Sequence, residues 1–322
     1  MTEMPLWIHR TALLCLPLIV AWFGLSFISA ALLLLLILLW RWLITLKGLI
    51  RPAKNQPELV LSTISASHFV EKVRWCMDRL DLQYTERPAG GTLGVFLLGR
   101  TVPVLRFKTG LVYSNIGNSA EILAYLWGRY AASMPAAAAF LEPSTERREL
   151  ENELDQYGVR LQVWVYYHIL PDRQLTLQAW GANDPSLPRY QRLMLRSCFP
   201  VQKFLIRKAF RISPIAYAKA VEQIESLLAK TEASLGKGQK SLLGGQRINY
   251  TDISFAALSG LWLQPDLYGG GKASGVKVEL RQTPLEMQSD VQRWIDKYPR
   301  SVEFIRDLYR SRLPSPGDGI EG

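Results

Sequence analysis

The sequence predicts a mixed α/β domain followed by an all-helical domain, with an N-terminal membrane-spanning segment ahead of both. Three observations carry this reading. The stretch from Thr11 to Trp40 contains no charged residue. Between Glu58 and Ser114, short β-branched and apolar runs alternate with turn residues and a helical pattern, the mixture expected of α/β layers. Beyond Pro143, apolar residues recur at helical spacing and no convincing β pattern follows.

The elements follow in chain order. A helix over Thr11–Trp40 would be about 45 Å long at 1.5 Å per residue, against a hydrocarbon core of about 30 Å. A cleaved signal peptide is the alternative. The apolar run is too long for one, no small-residue cleavage site follows, and the basic stretch from Arg41 to Lys54 reads as a stop. Two full spans need about forty residues, so one long helix is preferred to a hairpin around Gly24-Leu25-Ser26. Arg10 lies upstream, whereas Arg41, Lys47, Arg51 and Lys54 lie downstream, so the positive-inside rule places the globular part in the cytoplasm. Cys15, Cys76 and Cys198 form no pairing pattern that would indicate an oxidising compartment. Residues 1–50 are thus expected to be the anchor and 51–57 a linker.

The α/β domain is expected over 58–131: a strand at Leu59–Ile64, a helix with Phe69, Val73, Cys76, Met77 and Leu80 on its apolar side, and a strand at Gln83–Glu86. After a Gly-rich stretch come strands at Val102–Phe107 and Leu111–Ser114 and a helix at Asn118–Tyr130. Pro103 sits just inside a β-branched run, where it cannot donate to a ladder and therefore belongs at a strand start or edge. A cis bond there would open the backbone at Val102 toward a ligand. An alanine-rich connector, 132–145, leads to helices at Glu146–Ile169, Tyr190–Arg211 with a kink or break at Pro200, Pro214–Leu235, Thr251–Leu261 and Pro284–Arg312. These form a helical domain over 146–312, and 313–322 reads as a flexible tail. Asn249 and Asp252 have the spacing of a capping box.

Four features occur in a telling order: Ser67 ahead of the first globular helix, Val102-Pro103 ahead of a strand, Asn118-Ser119 opening a helix, and Asn249-Tyr250-Thr251-Asp252 opening another. In this arrangement the chain resembles the glutathione transferase superfamily over roughly residues 57–312. The resemblance implies a thioredoxin-like domain, a helical C-terminal domain and glutathione as co-substrate. Ser67 would be the catalytic hydroxyl, donating to the glutathione thiolate at a helix amino end, where the dipole favours negative charge. Its distance of five residues from Lys72 matches the family's spacing. Capping alone would also explain a serine at 67, and Ser65 and then His68 are the next candidates. By the same resemblance, Val102 would pair through its backbone with the cysteinyl unit, Pro103 would hold that geometry, and Ser119 would bind the γ-glutamyl carboxylate. The family is usually acidic or Gln where this chain has Asn118, and often has Lys where it has Thr101, with Arg100 one residue earlier as the nearest basic candidate. For Asn118 and Ser119, too, a simple helix cap is the alternative. Tyr157, Arg160 and Trp164 form one stripe and would line a pocket for a small hydrophobic electrophile; the alternative is that Tyr157 and Trp164 are core.

Charge adds a partner. The net charge is +10, and Arg189, Arg192, Arg196, Lys203, Arg207, Lys208 and Arg211 fall in a stretch without an acid. Six of them lie near one face by their spacing of three, four, seven, four and four, so Arg192, Arg196, Lys203 and Arg207 are expected to meet anionic lipid. The alternative is a solvated face paired with Glu222 or Glu225. No nucleic-acid motif is present, and dispersed histidines and cysteines give no metal-ligand spacing. A homodimer is a further expectation. Two classes stand: a membrane-anchored glutathione transferase conjugating or reducing hydrophobic electrophiles, and a non-catalytic module of the same fold at the membrane surface. Ser67, Val102-Pro103 and Ser119 favour the first; Asn118 and Thr101 favour the second.

Overall fold

The computed structural model describes residues 15, 27–50, 57–90, 102–109, 112–236, 239–273, 276 and 278–312. They fall into two compact units, Met1–Glu58 with Phe107–Ser114 and Leu59–Arg106 with Asn115–Gly322.

The first unit contains helix α1, Phe27–Ile50, two-thirds of it leucine, isoleucine and tryptophan. It shows solvent an apolar surface on several sides, with Ile28 70%, Leu36 65% and Trp40 68% exposed. Its charge-free part runs only from Phe27 to Trp40, about 21 Å at 1.5 Å per residue, before Arg41 interrupts it. Among the described residues no helix is long and apolar enough to cross a membrane. Most of the expected span upstream of Phe27 lies outside the described residues, and with it the choice between helix and hairpin.

A four-stranded sheet in the order β2-β1-β3-β4 organises the α/β part, with β1 at Glu58–Thr63, β2 at Tyr84–Pro88, β3 at Val104–Thr109 and β4 at Val112–Gly117. β1 and β2 are parallel, Leu59 opposite Tyr84 and Thr63 opposite Pro88, joined through helix α2, His68–Arg79. β3 and β4 form a hairpin across which Arg106 Nε donates to Asn115 Oδ1 at 3.3 Å. Glu58, at the start of β1, pairs with Lys108 near the end of β3 at 3.9 Å, so these two strands run in opposite directions. The end of β1, the start of β3 and the end of β4 therefore share one edge of the sheet. All three expected strands after β1 are present, each displaced toward the C-terminus by one to three residues. Helix α3, Ser119–Tyr130, packs beside α2. Val70, Val73, Cys76 and Met77 of α2 are buried with Leu59, Leu61, Leu105, Ile122 and Leu126. Each such side chain stabilises the fold by about 1.5–3 kcal/mol.

The helical part begins with a short turn, α4, Pro135–Ala138, and continues with α5 Thr145–Ile169, α6 Arg173–Ala179, α7 Arg189–Ser197, α8 Phe199–Ala209, α9 Pro214–Ser234, α10 Tyr250–Leu263, α11 Leu285–Lys297 and α12 Pro299–Arg310. α10 is buried on nearly every side and packs on α2, α5 and α12. The basic stretch is two helices, broken at Cys198 with Pro200 in the first turn of α8, close to the break expected there. Two expectations need correction. The expected helix Pro284–Arg312 is likewise two, interrupted at Tyr298 before Pro299. α6 was not expected; it is only seven residues long and is started by Asp172, whose carboxylate accepts from Gln174 N and Leu175 N.

Candidate functional site

The edge shared by β1, β3 and β4 gathers Ser67, Val102-Pro103 and Asn118-Ser119. Ser67 occupies the position before α2 in extended backbone (φ −71°, ψ 123°), and its side chain makes no cap hydrogen bond. It is half-buried. The hydroxyl therefore sits at a helix amino end whose first-turn amides it does not satisfy.

Several contacts fix that position. Ser67 N donates to Ile64 O at 2.8 Å, closing the turn out of β1. Tyr268 OH donates to Ala66 O at 2.8 Å from a tight turn, Tyr268–Gly271. Gly269 in that turn has φ +81°, and a Cβ there would lie 2.2 Å from the Ala273 side chain, so only glycine fits. His68 Nε2 donates to Gly158 O at 2.9 Å, where α5 approaches so closely that a Cβ on Gly158 would lie 2.6 Å from the Phe69 ring. Burial, with Lys72 nearby, lowers the His68 pKa to about 4, so the imidazole is neutral at physiological pH.

The body of α2 is tied down by ion pairs. Lys72 pairs with Glu151 and, at 3.1 Å, with Asp155 on α5. Burial opposes its charge, but Glu151 and then Asp155 outweigh that and hold Lys72 above its ordinary pKa. Arg74 grips Glu86 on β2 with two bonds, 2.8 and 3.0 Å, and Glu71 with a third, 2.9 Å. Arg312, beyond α12, reaches Glu71 and, at 3.2 Å, Asp78, with its guanidinium 4.9 Å from the Trp75 ring centre. Lys72 thus serves to lock α2 to α5. Removing Lys72 would leave the buried Glu151 carboxylate uncompensated.

Val102 is half-buried, Pro103 is buried, and the bond between them is cis. Arg100 and Thr101 lie outside the described residues. Asn118 adopts φ +69°, ψ 131°, a conformation costly for a residue with a side chain, while its Oδ1 accepts from Ala120 N at 2.9 Å. Its side-chain oxygen is thereby used as a cap. Ser119 is buried at the first position of α3.

Tyr157 and Trp164 are core residues. Tyr157 OH accepts from Trp262 Nε1 at 2.9 Å and bonds Ser259 Oγ at 2.9 Å; Trp164 Nε1 donates to Asp290 at 2.8 Å. Both rings are buried, and Arg160 between them is half-buried. None of the three lines the apolar cavity that does open beside the Ser67 loop, about 70 Å³ in volume and lined by Ala66, Val165, Ile169, Tyr268, Ala273 and Met287 among others. Tyr268 escaped the sequence reading, although three glycines after a tyrosine signal the positive-φ turn that carries it. Among the described residues no group of three or more His, Cys, Asp or Glu side chains could hold a metal ion.

No family model and no curated protein matches the chain. Among solved structures it is similar to a glutathione S-transferase from Methylobacillus flagellatus with GSH bound, at 14% identity over 80% of this chain and 96% of that one, with a TM-score of 0.46. A glutathione S-transferase of Ceriporiopsis subvermispora in complex with glutathione matches at 16% identity over 80% and 99%, with a TM-score of 0.46. One from Methylobacterium radiotolerans, in complex with glutathione sulfonate, matches at 16% identity over 80% and 92%, with a TM-score of 0.45. Likeness at this level assigns neither a ligand nor a residue role to this chain.

Proposed function

We propose that this chain is a glutathione-transferase-like protein held at a membrane, which binds glutathione at the sheet edge and conjugates it to, or uses it to reduce, a small hydrophobic electrophile. The observation that carries the reading is Ser67: half-buried, its hydroxyl making no cap hydrogen bond, at the amino end of a helix whose body is clamped by buried ion pairs. A free thiol has a pKa near 8.5, so little thiolate is present at neutral pH. A hydroxyl donating to the sulfur, with the amides and dipole of α2 behind it, favours the ionised form. Val102 offers backbone groups to an extended tripeptide, Pro103 holds that geometry, Ser119 opens α3 toward a carboxylate, and Arg100, outside the described residues, is the nearest basic residue in the sequence. The thiolate attacks the electrophile, a carbon–sulfur bond forms, and the leaving group departs or a proton is taken up. The apolar cavity beside Ala66 is where such a substrate would sit.

Membrane attachment is supported by the charge-free run Thr11–Trp40 and by the exposed leucines of α1. A helix apolar on all sides is at home in lipid. The excess of basic residues after Trp40 directs the globular part toward the cytoplasm.

A non-catalytic module of the same fold is the second reading. Asn118 favours it, because a neutral side chain already engaged as a cap is poorly suited to hold an ammonium. Glutathione titrated calorimetrically into the detergent-solubilised full chain separates the two. The transferase reading expects binding, and expects Ser67→Ala to raise the bound thiol's pKa and slow conjugation at pH 7 by about tenfold or more, with much less loss at pH 9. Because Ser67 forms no side-chain cap, the same variant should keep its stability within about 0.5 kcal/mol, rather than lose the ~1 kcal/mol typical of a cap. Absence of glutathione binding, or a Ser67→Ala effect on stability alone, would leave the binding module.

A further inference from the structure

Helices α7 and α8 show solvent a combination that an ordinary soluble surface rarely presents. On α8, Phe199 and Ile206 turn inward to a core cluster with Leu177, Trp180 and Leu195. On the opposite side Val201 is 59%, Phe204 58% and Leu205 38% exposed, at the three- and four-residue spacing of one stripe. Lys208 continues that stripe, its Nζ 5.6 Å from the centre of the Phe204 ring, and Lys203 and Arg207 flank it. Exposed Tyr190 and Leu193 on α7 and Ile215 at the start of α9 add to the apolar surface. From Arg189 to Arg211 there are seven basic residues and no acid, and among the described residues none of the seven is in an ion pair. Glu225, one of the acids that would neutralise them, is engaged by Arg293 at 3.0 Å and Lys297 at 2.8 Å. Arg196 is the one positioned internally, donating to Ala182 O and Asn183 Oδ1.

We propose that α7 and α8 form an interfacial membrane contact, in which Val201, Phe204 and Leu205 enter the headgroup–acyl boundary and Lys203, Arg207 and Lys208 hold anionic headgroups. This rests on the membrane reading above. Aliphatic and aromatic side chains on one stripe with cations at its margins are the pattern of a helix lying in the plane of a bilayer. The missing acids and absent ion pairs supply the charge complementarity to phosphatidylserine-type lipid. It differs from a purely electrostatic stripe in requiring the apolar side chains as well.

The test is hydrogen exchange of the full chain reconstituted in vesicles of phosphatidylcholine alone or mixed with phosphatidylserine. Amides of α7 and α8 should exchange about tenfold more slowly on the mixed vesicles, and high salt should reverse this. K203Q/R207Q/K208Q should weaken docking on the order of a hundredfold, from about 1 kcal/mol per charge. V201S/F204S/L205S, which keeps every charge, should also abolish the protection. Equal protection on both vesicles overturns the proposal. So does protection in detergent that grows with protein concentration, which would mean a second copy, or protection by added RNA without lipid. Carbonate washing keeps the two readings apart. A chain released by carbonate yet protected on mixed vesicles retains the docking surface and loses the anchor. A chain retained by carbonate but unprotected loses the docking surface alone.

Discussion

Helices α2 and α10 pack against each other, and each begins after a short polar residue, Ser67 and Asn249. At the start of α10 the side chains of Asn249, Thr251 and Asp252 are all engaged. Asn249 Oδ1 accepts from Thr251 N at 2.9 Å and Thr251 Oγ1 at 2.7 Å, while the Asp252 carboxylate accepts from Asn249 N at 2.8 Å and Leu242 N at 2.7 Å. At α2 the serine hydroxyl accepts from none of the helix amides. The first is a joint, closed by its own residues. The second is rigidly held but chemically open, which is the condition for meeting a ligand without reorganising.

Three changes probe that contrast. The largest effect is expected from Asp252→Ala, which leaves two buried amides without an acceptor at about 1–3 kcal/mol each. Urea unfolding should report a loss of about 2–5 kcal/mol with glutathione affinity of the folded protein unchanged; a collapse of affinity at intact stability would mean that the α10 start is not merely a joint. His68 comes next. Its folded pKa of about 4 lies below the ordinary 6.5, so the unfolded chain binds the extra proton first as pH falls. The stability this neutral imidazole contributes is fully present above pH 6.5 and is lost between 6.5 and 4, up to about 3 kcal/mol at 1.36 kcal/mol per pH unit. His68→Gln, which can still donate to Gly158 O, should flatten that part of the profile; an unchanged slope would assign it to other groups. The smallest effect belongs to Asn118→Asp, which keeps the cap on Ala120 N and adds a charge for the glutathione ammonium. Calorimetry should show about fivefold tighter binding, and no gain would mean that the ammonium lies elsewhere.

Local signals were readable and distant partners were not. The Asn249–Asp252 box, the helix from Glu146 and the proline ahead of β3 announce themselves within a few residues, because caps and turns act over one helical turn. The break before Pro299 stayed hidden, since apolar spacing continues across it into α12. Lys72 invited a role at the site by its distance from Ser67, yet its partners Glu151 and Asp155 lie on a helix that only tertiary packing brings near. Trp164 stood between pocket and core on its stripe; it is buried, and its acceptor, Asp290, belongs to another element. Tyr268 is the clearest case: it steadies the Ser67 loop from 202 residues downstream of Ala66.

Arg312 gives that separation a temporal meaning. It completes the charge balance of Glu71 and Asp78 from 241 and 234 residues away. A ribosome making this chain delivers α2 with Glu71 beside Arg74 of the same helix, and supplies the guanidinium that Glu71 and Asp78 share only once residue 312 has emerged. The half that carries Ser67 therefore reaches its final packing after the whole helical part has emerged, and until then its site-bearing helix depends on water, or on a chaperone, to keep those charges solvated.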